Sequence, residues 1–172
     1  MGCGRTAADG FRLLASERRE YGHPRPYSEH SMPLVITTEH DDAMRAHGTR
    51  DYPHECCGFL VGRADGETVT VARTVPAANT REDSPRNRFE IDPGELVKTD
   101  RAARADGLGV VGFYHSHPDA PALPSNFDRE HAWPGYCYVI VSVRQGVPQE
   151  MRNWLLREDR SGFEEDAVNI LD

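Results

Sequence analysis

The stretch Gly112-Phe113-Tyr114-His115-Ser116-His117-Pro118-Asp119-Ala120-Pro121-Ala122-Leu123-Pro124-Ser125-Asn126-Phe127-Asp128 concentrates the chemistry of this chain. Leu108 to Tyr114 is a continuous apolar run and reads as a buried strand. In an extended chain, residues two apart share a face, so His115 and His117 at the strand end can offer two imidazoles to one ion. Taken alone, that spacing equally describes two partly exposed strand-end histidines. The next eleven residues shift the balance. Pro118 stops the strand, a Pro-rich turn comes next, and a short helix from Ser125 to about Trp133 carries Asp128 one turn in. Its carboxylate can then return to the same ion. Two neutral imidazoles and one carboxylate leave Zn2+ a fourth position for water, which marks a catalytic rather than a structural site.

Upstream, Asp92 caps a helix with Pro93 at its first position, apolar residues at Leu96, Val97 and Ala103, and Gly107 as its stop. Residues 77–92 are polar and irregular, a loop suited to face a ligand, with a short strand expected at Arg88 to Ile91. Near the start, Met32 to Ile36 reads as a first strand. Thr37 or Thr38 caps a helix running to about His47 and ending near Gly48, with acidic residues in its first turn. Gly58 to Gly62 is strand-like, and Asp65-Gly66 signals a hairpin returning from Thr68 to Val75. Downstream, Tyr136 to Val143 is rich in Val, Ile and Tyr, and two further strands are expected near Glu150 to Arg157 and Phe163 to Ile170. Strands and helices mix without regular alternation, which predicts an α+β sandwich rather than a doubly wound fold.

Composition sets the outer limits. The chain has 172 residues, enough for one domain with its own core, and 38% apolar with 28% charged residues fits a folded, soluble domain. A net charge of −8 argues against a nucleic-acid surface and favours a partner with a basic face. Arg81, Arg86 and Arg88, and then Arg101 and Arg104, are interleaved with acidic residues and read as solvated faces. The four cysteines, Cys3, Cys56, Cys57 and Cys137, form no C-x-x-C pair, so a reducing cytoplasm is the expected location. No apolar run is long enough to span a bilayer. Residues 1–31 differ in composition and read as a flexible tail before a domain over 32–172; their opening Met1-Gly2-Cys3 formally fits a lipidation pattern.

Beyond these spacings, the chain resembles the JAMM (MPN+) zinc metalloproteases, whose signature is an upstream Glu followed by His-x-His-x7-Ser-x2-Asp. Glu55, before the Gly58-Phe59-Leu60 strand, matches the first position; His115, His117, Ser125 and Asp128 match the rest. Pro53-His54-Glu55-Cys56-Cys57-Gly58-Phe59-Leu60-Val61-Gly62 and Val111 to Pro118 are similar to stand-alone prokaryotic members, and the likeness covers roughly residues 33–157. The resemblance implies a cytidine-deaminase-like sandwich, a mixed curved sheet flanked by helices. It implies one Zn2+ per chain on His115, His117 and Asp128, with Glu55 as general base to the zinc-activated water and Ser125 donating to the developing oxyanion. It further implies a substrate: a small ubiquitin-like sulfur-carrier protein, cleaved after its C-terminal Gly-Gly. The loop from Ala77 to Asp92 would then form one wall of the groove for that tail. A homodimer is compatible with this reading.

Alternatives remain open on the sequence alone. The chemistry would be the same for a deconjugase releasing a ubiquitin-like protein from lysine. A catalytically silent MPN scaffold is the non-enzymatic alternative. A zinc deaminase would need Pro-Cys-x-x-Cys, which is missing, and a cupin-like barrel expects a Glu a few residues after His-x-His. Cys56 and Cys57 read as small core residues before they read as nucleophiles. His54 and His131 could stand behind the metal ligands or be ordinary surface histidines. Ser125 also reads simply as a helix cap, and Asp119 as a turn residue.

Overall fold

Residues 31–172 are described by the structure, a computed structural model; residues 1–30, with the lipidation pattern and nearly all of the expected tail, lie outside the described residues. The elements in chain order are β1 (Leu34–Thr37), α1 (Thr38–Asp51), β2 (Cys57–Ala64), β3 (Val69–Ala77), α2 (Pro93–Ala105), β4 (Gly109–Pro118), α3 (Asn126–His131), β5 (Cys137–Arg144), β6 (Val147–Leu156), β7 (Phe163–Asp166) and β8 (Val168–Leu171). The strands form one sheet in the order β7-β6-β5-β4-β2-β3-β1-β8. Pairing is parallel for β1 with β3, β1 with β8 and β4 with β5, and antiparallel elsewhere. The two edges, β7 and β8, are separated in the chain by Ala167 alone, so the sheet curves until its ends approach. This is the expected α+β architecture with a mixed, curved sheet.

Alternation along the strands sorts side chains into two cores. Phe59, Val61, Phe113, Tyr138 and Ile140 pack with Leu96 and Ala103 of α2 on one face. Leu34, Leu60, Tyr114, Val139 and Val141 pack with Met44 of α1 on the other. Because Phe113 belongs to the α2 face, period two puts His115 and His117 there as well.

The helices start where capping chemistry places them. Thr37 and His40 form a reciprocal capping box at α1, His40 taking the place usually held by Glu or Gln. The helix continues past Gly48 to Asp51, about one turn beyond the expected end. Gly48 instead permits close approach: a Cβ there would sit 3.0 Å from Val143 Cγ2 and 3.3 Å from the Cβ of Ser116. At α2, Asp92 accepts from the Gly94 and Glu95 amides at 2.7 and 3.3 Å, with Pro93 following. Asp92→Ala is expected to cost about 1 kcal/mol of stability, read by urea unfolding, through the loss of that cap.

The expected short strand at 88–91 does not form. Thr80 N donates to Glu90 O at 2.9 Å, as a strand would, but the Asn79 side chain takes up the Arg88 carbonyl and the Glu90 amide. Groups that would have paired with a neighbouring strand are satisfied inside the loop.

Candidate metal centre

The pairing of β2 with β4 builds the site. Cys57 lies opposite His115 in an antiparallel register. Continued by two residues, that register sets Glu55 opposite His117, and directly opposed residues project from the same face. Ser116 N donates to Cys56 O at 3.1 Å, and Cys56 N to Ser116 Oγ at 2.9 Å, which carries the pairing to this end. Glu55 Oε1 stands 4.0 Å from His117 Nε2.

The third ligand candidate arrives on α3. Ser125 caps that helix: its Oγ accepts from Asp128 N at 3.1 Å and donates to Asp128 Oδ2 at 2.7 Å, while Ser125 N donates to the same carboxylate at 2.6 Å. The capping box thus aims Asp128 back at the histidines. His115 Nε2 and His117 Nε2 are 3.0 Å apart; Asp128 Oδ1 is 3.4 Å from the first and Oδ2 is 3.6 Å from the second. A tetrahedral ion with bonds of about 2.0–2.1 Å requires ligand atoms roughly 3.3 Å apart. The spacing therefore fits one zinc held by His115, His117 and Asp128, the same group whose ligand atoms lie within 4.8 Å of one another.

The orientation of the rings fits too. His117 Nδ1–H donates to the Pro121 carbonyl at 3.0 Å, leaving the Nε2 lone pair directed at the shared point. His115, 1% exposed, has no such bond among the described residues: its Nδ1 is buried and unpartnered. Its ring is held by packing, against Phe89 at 4.6 Å between centroids and 31° between planes.

Electrostatics follow from burial and mutual proximity. Burial lowers the pKa of His115, outweighing the pull of Asp128. Burial acts the same way on His117, but Asp128 and Glu55 outweigh it and carry that pKa above the ordinary imidazole value. Burial also opposes ionisation of Asp128, yet His115, His117 and Ser125 hold its carboxyl well below the usual range. Glu55, 4% exposed, is pushed up to about 8 by burial, with His117 opposing the rise and Asp128 adding to it.

The raised pKa of Glu55 makes the stability of the metal-free protein depend on pH. A carboxyl whose folded pKa exceeds its unfolded one contributes stability that is fully present below about pH 4.5 and is lost as pH rises through about 8. Glu55→Gln, which stays neutral, should match the metal-free wild type near pH 4. By pH 8.5 it should exceed the wild type by on the order of 3 kcal/mol in urea unfolding. An equal gap at both pH values would refute a raised Glu55 pKa.

Other residues singled out from the sequence are not part of the His115–His117–Asp128 group, although His131 lines a cavity beside it. His54 is exposed, and His131 donates to Phe127 O at 2.9 Å within α3. Cys56 and Cys57 are buried, and burial pushes the Cys56 thiol up to about 12, as suits core residues. Asp119 is more than a turn residue: at φ 56° its carboxylate accepts from Tyr52 Oη, Arg86 Nη2 and Gln145 N. Among the described residues, no helix is long and apolar enough to cross a membrane.

Comparison with known proteins identifies the family. The profile of prokaryotic homologs of the JAB domain matches residues 37–157. The chain is 41% identical over 114 residues to a desampylase of Haloferax volcanii, covering 63% of this chain and 80% of the relative. It is 36% identical over 141 residues to a CysO-cysteine peptidase of Mycobacterium tuberculosis, covering 81% and 92%. A solution structure of a Desulfitobacterium hafniense protein is similar at a TM-score of 0.71 and 32% identity, covering 81% of this chain and 93% of that one. The chain belongs to the prokaryotic homologs of the JAB domain, the stand-alone JAMM/MPN family, and is a peptidase of that family.

Proposed function

We propose that this chain is a zinc-dependent peptidase that hydrolyses the bond after the C-terminal Gly-Gly of a ubiquitin-like, sulfur-carrier-type protein. The observation that carries the reading is the convergence of buried Glu55 on the His115–His117–Asp128 group. When bound, zinc supplies an acidified water and a positive charge beside the scissile carbonyl. Glu55 takes the proton of the attacking water and returns it to the leaving amine. Ser125 Oγ, at the head of α3, donates to the carbonyl oxygen as negative charge develops there, exchanging its bond to Asp128 for that one.

The surroundings suit an extended tail. A cavity of about 230 Å³ opens on the side of His115 and Asp128, walled by Phe89, Ile91, Phe113, Phe127, Trp133 and Tyr138. Phe89 and Ile91 come from the loop expected to form one wall. Glycine at the scissile end lets the substrate backbone pass close to the ligands, and bulkier residues behind it can enter the cavity. The CysO-cysteine peptidase relative supports a sulfur-carrier substrate. The desampylase relative supports the second reading, release of a ubiquitin-like protein from lysine.

The test is to incubate the zinc-loaded full chain with a sulfur carrier extended past its Gly-Gly and, separately, with the same carrier joined to a lysine side chain. Products are read by intact mass, with and without chelator. Cleavage after Gly-Gly that disappears with chelator is the expected result, and the preferred substrate separates the two readings. Cleavage of neither, by protein with stoichiometric zinc, would refute the assignment of substrate.

A further inference from the structure

Asn79 sits just past the end of β3, where the chain enters the 79–92 loop, 24 residues from Glu55, and its side chain bonds to none of the ligand candidates. Its side-chain amide nevertheless makes four hydrogen bonds. Nδ2 donates to the Glu55 carbonyl at 3.1 Å and to the Arg88 carbonyl at 3.1 Å. Oδ1 accepts from Arg81 N at 3.0 Å and from Glu90 N at 3.2 Å. Both donors and both acceptor lone pairs of the amide are engaged, the full capacity of the group.

The partners are what give this clamp meaning. Glu55 is held by its backbone from the same loop at both ends: its carbonyl by Asn79 and its N–H by the Pro85 carbonyl at 2.8 Å. Arg88 O and Glu90 N flank Phe89, so Asn79 also holds the backbone on either side of the ring that packs on His115. His115 has no hydrogen bond at Nδ1 among the described residues, so that packing joins its Nε2 contacts with His117 and Asp128 in orienting it. One amide therefore ties the carboxylate that moves the proton to the ring that completes the ligand set.

We propose that Asn79 is a positioning residue, setting Glu55 and, through Phe89, His115 in register with each other. The kinetic part of the inference rests on the zinc-peptidase reading; the structural part does not. Asn79→Asp preserves shape but replaces both donors with an oxygen that repels the carbonyls of Glu55 and Arg88. Asn79→Ala removes all four bonds and serves as the second variant should the first fail to fold.

Both are to be compared with wild type as zinc-loaded full chains, at a temperature well below their unfolding. Steady-state cleavage of the extended carrier is measured beside zinc content and amide hydrogen exchange over residues 53–57 and 80–90. The expected result is a fall in kcat on the order of 10- to 100-fold, exceeding any rise in KM, with zinc retained and exchange faster in both segments. A kcat within about threefold of wild type, or a change confined to KM, would overturn the proposal. Faster exchange limited to 80–90 would overturn it as well, since Asn79 would then order only its own loop. If wild type cleaves neither carrier substrate, the substrate assignment fails separately, and the exchange over 53–57 alone decides whether the clamp exists.

Discussion

Glu55→Gln is expected to slow hydrolysis by on the order of 10³- to 10⁴-fold while leaving the fold and the zinc content unchanged. The amide matches the carboxylate in size, so the packing of a side chain 4% exposed is kept. Its backbone bonds to Pro85 and Asn79 do not involve the side chain and persist. What disappears is the capacity to accept a proton and pass it on, two steps that the proposed mechanism gives to one group 4.0 Å from His117 Nε2. The loss should therefore appear in kcat rather than in KM. Single-turnover cleavage beside metal analysis is the check. A variant retaining about a tenth of wild-type kcat would remove Glu55 from the role of base, and a variant that lost zinc would reassign it to the ligand set.

His117→Ala should abolish measurable cleavage and weaken zinc binding by on the order of 10²- to 10³-fold. Protein zinc sites hold on the order of 10 kcal/mol or more of apparent binding free energy, so one ligand in three carries several kcal/mol. The loss falls hardest here because His117 is oriented at both ring nitrogens, by the Pro121 carbonyl at Nδ1 and by its neighbours at Nε2. Removing it also leaves Asp128 with His115 as its one imidazole partner in the group, so its carboxyl is less strongly held in the ionised form. Chelation of the wild type should reproduce the loss of activity and lower the thermal midpoint, since an ion that binds the native state alone stabilises it by mass action. Calorimetric titration with zinc, followed by melting of both forms, reads the binding and stability effects; intact-mass cleavage reads the activity. Stoichiometric zinc and cleavage in His117→Ala would place the metal elsewhere.

These two effects and the Asn79 clamp depend on contacts at different separations along the chain, and that difference explains how much was legible in the sequence. Features governed by near neighbours were readable. Asp92-Pro93 opens α2, and the Asp65-Gly66 turn joins β2 to β3, because capping and turn geometry depend on a few adjacent dihedrals. His115 and His117 share a face because a strand alternates, and Asp128 returns to them because Ser125 caps a helix three residues earlier. The candidate ligands thus lie within fourteen consecutive residues, 115–128, and their chemistry could be stated from spacing. Resemblance to the family added Glu55, which no local pattern connects to that stretch.

The remaining features came from contacts distant in the chain. Glu55 meets His117 only because β2 pairs antiparallel with β4 in one register; a shift by one residue would turn the carboxylate to the opposite face. The close packing of α1 on β4 and β5 likewise explains why the helix overruns Gly48: a glycine read as a helix stop is used for contact with Val143 and Ser116 instead. Asn79 read only as one polar residue of an irregular loop, because a side-chain amide is satisfied equally well by water or by a distant backbone. Its partners exist only once β2 and the loop are brought together. Short-range stereochemistry was enough to name the residues able to bind a metal and the segments that would be strand, helix or turn. Which carboxylate faces those residues depended on strand register between residues about sixty apart, where many pairings satisfy the local rules and burial of two opposite cores selects one, and what holds it depended on a side chain 24 residues away.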